Sequence, residues 1–137
     1  MVDKETLAQF IRTEFPQTRV VIDSVGQRAA TVSLDVDDSD LRPGGTVSGP
    51  TMMALADVAL YVAVLGEIGI VPLAVTTNLT INFLRRPAAG QRLRGECQLM
   101  KVGKSLAIGE VSLYSAGNDE PVAHVVGTYA IPPQHLR

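Results

Sequence analysis

A single cysteine, Cys97, denies this chain an internal disulfide, and its two histidines stand apart from any thiol or acidic cluster with metal-ligand spacing. Tryptophan is absent and aromatic residues make up only 4% of the chain, so there is no run of rings on which unpaired bases would stack. Lys and Arg number 12 against 14 Asp and Glu, and they are scattered. The resulting charge of -2 leaves no basic stripe, which argues against a nucleic-acid partner. The N-terminus opens Met1-Val2-Asp3-Lys4-Glu5, with charges where a signal peptide would be apolar. The longest apolar run is interrupted by Asp57 and then by Gly66 and Glu67. Together these features predict a soluble cytoplasmic protein without metal, cofactor, nucleic-acid or membrane partners. Cys97 is expected to be a small buried hydrophobe. At 137 residues the most economical organisation is one domain spanning residues 1–137.

What is present is concentrated around one carboxylate. Asp57 sits inside Met52-Met53-Ala54-Leu55-Ala56-Asp57-Val58-Ala59-Leu60-Tyr61-Val62-Ala63-Val64-Leu65. A helix apolar on nearly every face must be buried, and a buried charge is costly unless something pairs with it. Asp57 therefore reads as a working residue, against the plainer reading of a structural carboxylate tied to Thr76, Tyr61 or a helix end. The helix has a marked start. Ser48 offers a capping hydroxyl, Pro50 suits the first turn, and Gly49 N–H falls among the donors with no intrahelical partner. A helix over residues 48–66 puts Asp57 roughly 12 Å along the axis from Gly49 at ~1.5 Å per residue. Chemistry using both groups would have to draw one of them from a second subunit.

Residues 3–14 space Leu7, Phe10 and Ile11 at helical intervals, giving a short N-terminal helix within residues 1–16 that stops at Pro16. Residues 19–23 and 29–36 read as a hairpin about Ser24-Val25-Gly26-Gln27. The polar segment 37–45 reads as a surface loop. From Val75 to Phe83 the period becomes two, with Thr76, Asn78, Thr80 and Asn82 at the even positions. Three further strands follow at 92–102, 105–114 and 122–131. Across Gly109-Glu110 the apolar phase slips, which predicts a β-bulge. The order predicts an α+β fold: an antiparallel sheet curved around one long helix, with open edges that favour self-association.

The loop glycines, the Ser48-Gly49-Pro50 helix start, Leu55-Ala56-Asp57, and the later Phe83-Leu84-Arg85-Arg86-Pro87, Ala89-Gly90-Gln91 and Val102-Gly103-Lys104-Ser105 resemble the hotdog-fold acyl-CoA thioesterases of the phenylacetate-degradation type. The resemblance covers about residues 20–131. It implies a hotdog fold and hydrolysis of a CoA thioester at a homodimer interface, in dimers that double to a tetramer. Asp57 would be general base or nucleophile, Gly49 N–H of the other subunit would polarise the thioester carbonyl, and Thr76 would help position water. The family commonly carries His-Gly-Gly where this chain has Ser48-Gly49-Pro50, and Asn where it has Arg42.

Further candidates for contact with substrate are Arg42, Ser48, Met52, Met53, Arg85, Arg86, Lys104 and Ser105. Ser48 also has the simpler role of helix cap, and the methionines that of core filling. The cations suit CoA phosphates or plain solvation equally. His124 is read as a packed or hydrogen-bonded strand residue. Two functions of different class follow: a thioester hydrolase, or a binding module of the same fold that holds a CoA thioester or apolar ligand without turnover. An enoyl-thioester hydratase is disfavoured, because no Asp and His share the central helix.

Overall fold

A computed structural model describes residues 1–87 and 89–137. Helix α1 (Lys4–Glu14) is capped by the Asp3 carboxylate, which accepts from Thr6 N. Strands β1 (Val21–Gly26) and β2 (Ala29–Asp35) form the first hairpin. Its turn falls on Gln27 and Arg28, both at positive φ (54° and 60°), one residue later than the sequence glycine suggests. A short β3 (Leu41–Arg42) and β4 (Thr46–Val47) lead to helix α2 (Gly49–Ile68), followed by β5 (Val75–Phe83), β6 (Arg92–Val102), β7 (Leu106–Ser115) and β8 (Ala123–Ala130). The six long strands make one antiparallel sheet in the order β1-β2-β6-β7-β8-β5. The fold is α+β, a sheet wrapped about one central helix.

Ser48 caps α2 by accepting from Thr51 N at 3.3 Å, and Gly69 ends it at φ 98° while its N–H reaches Leu65 O. The helix runs two residues past the expected stop at Gly66. That glycine is held by packing: a Cβ there would lie 2.6 Å from Val25 Cγ2. Leu55, Ala56, Ala59 and Leu60 through Gly66 are buried under the sheet, so the apolar stretch is the core of the domain.

The helix rests in a glycine seat. Gly109 of β7 and Gly127 of β8 face each other across the ladder, and Leu60 fills the notch between them. A Cβ on Gly127 would fall 2.5 Å from Leu60 Cδ1 and 3.1 Å from Leu79 Cδ1. Leu60 is only 1% exposed and has nowhere to retreat. Gly127→Ala is therefore expected to cost about 1–3 kcal/mol of stability through overpacking, read as a lower urea midpoint; an unchanged midpoint would mean that the helix is not pressed against β8.

The bulge expected in β7 is not there. β7 alternates regularly, with Ala107, Gly109, Val111, Leu113 and Ser115 turned inward, so Leu106 and Ile108 lie on the outer face of the sheet. The extra residue belongs to the neighbouring strand, where the ladder skips Met100 between Leu99 and Lys101. A phase read on one strand cannot say which of two partners carries the irregularity. Cys97 is buried as expected, and burial pushes its thiol up to about 12, which keeps it unreactive.

Candidate active site

Asp57 emerges from α2 half-buried, on the open side of the helix shared with Met53, Ala54 and Val58. The fully buried charge argued from the apolar run is thus corrected: the sheet covers the rest of the helix, and this stripe faces a cleft. Oδ1 of Asp57 accepts from Thr76 Oγ1 at 2.7 Å and from the Tyr129 hydroxyl at 2.7 Å. Among the described residues no donor reaches Oδ2. Burial, then the neighbouring Asp57 carboxylate, raises the pKa of Tyr129 well above the usual tyrosine range, so its hydroxyl remains a donor.

Thr76 reaches Asp57 because of a local irregularity. In β5 the ladder with β8 skips Thr77: Thr76 pairs with Tyr129 and Asn78 with Thr128. Strict alternation would have sent Thr76 outward with Asn78, Thr80 and Asn82. The bulge turns it to the inner side, with Leu79 and Ile81, and sets it beside Tyr129 under the carboxylate.

The cleft at Asp57 measures about 690 Å³ and runs between α2 and the segment from α1 to β1, bounded by Ile11, Phe15, Tyr61 and Leu73 among others. Among the described residues, the charged groups lining it besides Asp57 are Arg19 and Asp40. Asp40, in the loop read from sequence as surface, is 5% exposed. Its carboxylate accepts from Arg19 at 2.7 and 2.8 Å, from Asp37 N at 2.9 Å and from Thr51 Oγ1 at 3.3 Å. Burial raises its pKa, but the guanidinium and Asp37 N–H outweigh that and hold it below the ordinary value. This pair, together with Ser48 N–H donating to Asp40 O at 2.7 Å, fixes the loop to the start of α2.

Gly49 opens onto a different cleft of about 590 Å³, lined by Arg42, Met52, Phe83, Arg85, Arg86 and neighbours. Its N–H has no partner among the described residues. The Phe83 ring lies against it, 3.1 Å from where a Cβ would stand. Arg42 faces this second cleft and is absent from the lining of the Asp57 cleft. Arg85 is already engaged, 2.9 Å from Glu120 Oε2 and donating to Pro121 O at 2.6 Å, whereas Arg86 is exposed. Met52 is buried at 4% while Met53 is 38% exposed on the Asp57 side of the helix. Lys104 and Ser105 are exposed in the β6–β7 turn. That turn lies at the same end of the sheet as Val75 of β5, with β8 between them, whereas Arg85 and Arg86 follow the Phe83 end of β5. One chain therefore splits the expected residues into two groups: Asp57, Thr76 and the Lys104 turn at one end, Gly49, Arg42, Met52 and Arg86 at the other.

Sequence reasoning missed Tyr129 and the Arg19–Asp40 pair. It offered Tyr61 as a partner for Asp57, but Tyr61 instead donates to Pro72 O at 3.3 Å. The inward row Ala123, Val125, Gly127 and Tyr129 was legible as alternation, but its register against β5 was not. His124 does what was expected, with Nε2 2.9 Å from Glu110 Oε1 on the outer face.

The fold that carries this carboxylate and this helix start is shared with known proteins. A protein of Silicibacter sp. TM1040 assigned as a thioesterase is 44% identical, with a TM-score of 0.89 over 97% of this chain and 94% of its own. The PaaI protein from the phenylacetic acid degradation operon of E. coli has the same fold, with a TM-score of 0.81 at 23% identity over 94% of each chain. So does a hypothetical thioesterase from Streptococcus pneumoniae TIGR4 solved with coenzyme A, with a TM-score of 0.76 at 19% identity over 84% of this chain and 87% of that one. The signature of the Thioesterase superfamily matches residues 44–122, which span the Gly49 helix start, Asp57 and Thr76. With more than half its length matched, and with the hotdog arrangement of helix and sheet, this chain belongs to the thioesterase superfamily.

Proposed function

We propose that the protein is a cytoplasmic acyl-CoA thioesterase whose active site is completed by a second copy of the chain. The observation that carries this reading is the free Oδ2 of Asp57, on a carboxylate whose other oxygen is already held, at the rim of an apolar cleft. Oδ2 takes a proton from water as the water oxygen attacks the thioester carbonyl carbon. The carbonyl oxygen gains negative charge and is held by Gly49 N–H of the other copy. The C–S bond then breaks, and the proton passes to the departing thiolate of CoA.

The sheet supports the two-copy assembly. β5 is an edge strand nine residues long, with no partner on its outer side among the described residues. Its flanks expose Val75, Phe83 and Leu84. Such an edge invites pairing. Two β5 strands joined antiparallel about a two-fold axis set the Phe83 end of one copy, with its Gly49 cleft, beside the Val75 end of the other, with its Asp57 cleft. The same pairing brings Arg42 and Arg86 of one copy toward Lys104 of the other, a set of cations suited to CoA phosphates. The related fold from S. pneumoniae was solved with coenzyme A. Leu106 and Val126, exposed on the outer sheet face, offer the contact for doubling to a tetramer.

Purified protein should hydrolyse at least one of a panel of short-chain, long-chain and aromatic acyl-CoAs, and should scatter light as a dimer or tetramer at micromolar concentration. A monomer that still turns over substrate removes the two-copy site. The second reading, a binding module, draws on Pro50, which occupies the first turn without an N–H and leaves Gly49 with less help than the second glycine of the family pattern would give. Tight binding of every ester with no hydrolysis selects it.

A further inference from the structure

We infer that Tyr129 is a positioning residue: its hydroxyl and that of Thr76, from two adjacent strands, clamp Asp57 Oδ1 and thereby make Oδ2 the oxygen that meets the attacking water. An aspartate's terminal torsion is soft, and a carboxylate held by one donor can swivel and exchange its oxygens. Two donors converging on Oδ1 at 2.7 Å each remove that freedom. Tyr129 is the more rigid of the two. It is 3% exposed, its ring centroid is 5.9 Å from that of Tyr61, and it stands in the inward row of a strand paired on both sides. It lies directly across the ladder from Thr76, and the skipped Thr77 is what turns both side chains to the same carboxylate. A clamp of this kind lowers the reorganisation needed when the proton moves, which is where orientation gains rate.

The rate consequences rest on the hydrolase reading above; the clamp itself does not. Tyr129→Phe keeps the ring in the core and removes only the donor. It should lower kcat about ten- to a hundred-fold with KM nearly unchanged, since the lost interaction shapes the reacting group and not the binding of the ester. In an Asp57→Asn background the same change should leave the residual rate where it was, because a positioning residue has nothing left to position.

An activity-independent readout is the orientation of the Asp57 carboxylate in crystals of wild type and Tyr129→Phe. With one donor gone the terminal torsion should relax, and the carboxylate should turn or occupy two orientations where the wild type holds one. A carboxylate held in the wild-type orientation overturns the clamp, as does an equal fall in rate in the Asp57→Asn background. A wild type that hydrolyses no ester while the carboxylate still turns in the variant overturns the hydrolase reading and leaves the clamp standing.

Discussion

Asp57→Asn should lower kcat at least ~100-fold, the usual loss when a general base is removed, while the protein stays folded. Asparagine has nearly the same shape, and its amide oxygen can still accept from Thr76 and Tyr129, so the clamp keeps its acceptor. What disappears is the ability of the second position to take a proton, since an amide nitrogen is not a base at neutral pH. Stability should hold or rise. A half-buried negative charge is relieved of desolvation, and sites shaped for reaction often give up stability for it. The kinetic signature is a fall in kcat matched by the fall in kcat/KM, the mark of an interaction made chiefly in the transition state. Wild-type turnover by the variant would remove Asp57 from the chemistry.

Gly49→Pro should cost a further distinct ~10²- to 10³-fold in kcat, the range seen when one oxyanion donor is lost. Proline is welcome at the first position of a helix, and Ser48 at φ -71° and ψ 152° already has the extended backbone that a following proline demands. The substitution removes the N–H, and because Pro50 disfavours a helical residue before it, an unchanged circular dichroism spectrum of the variant is the check that the helix start stays in place. One steric cost must be separated from the electronic one. The Phe83 ring stands 3.1 Å from the position of a Cβ on Gly49. Gly49→Ala keeps the N–H and meets the same ring, so it supplies the control. Equal losses in the alanine and proline variants would assign the effect to Phe83, and a large loss in proline alone assigns it to the donor.

The long helix and its boundary signals were legible because apolar residues, a capping serine and a first-turn proline act locally. The antiparallel sheet was legible for the same reason, in the alternation from Val75 to Phe83 and along the later strands. The site was legible only in part. Asp57 stood out as a charge in an apolar run, yet its half-exposed state depends on which stripe of the helix the sheet leaves uncovered. The direction of Thr76 depends on a bulge at Thr77, and the choice of Tyr129 over Tyr61 depends on the register of β5 against β8. Asp40 was read as surface because its loop is polar, whereas Arg19, 21 residues away in sequence, draws it inward. These are non-local facts, set by pairings that no single segment encodes. The misplaced bulge in β7 has the same origin.

The central claim is that carboxylate and oxyanion donor come from different copies of the chain, and subunit complementation tests it most directly. Asp57→Asn and Gly49→Pro, each silent alone, are unfolded together in equal amounts and refolded. A two-fold dimer with shared sites then regains one intact site in every mixed pair, and random pairing predicts about a quarter of the wild-type rate. Recovery near that level, absent when either variant is refolded alone, is the expected result. A mixture no more active than its separate components would contradict a site built across two copies.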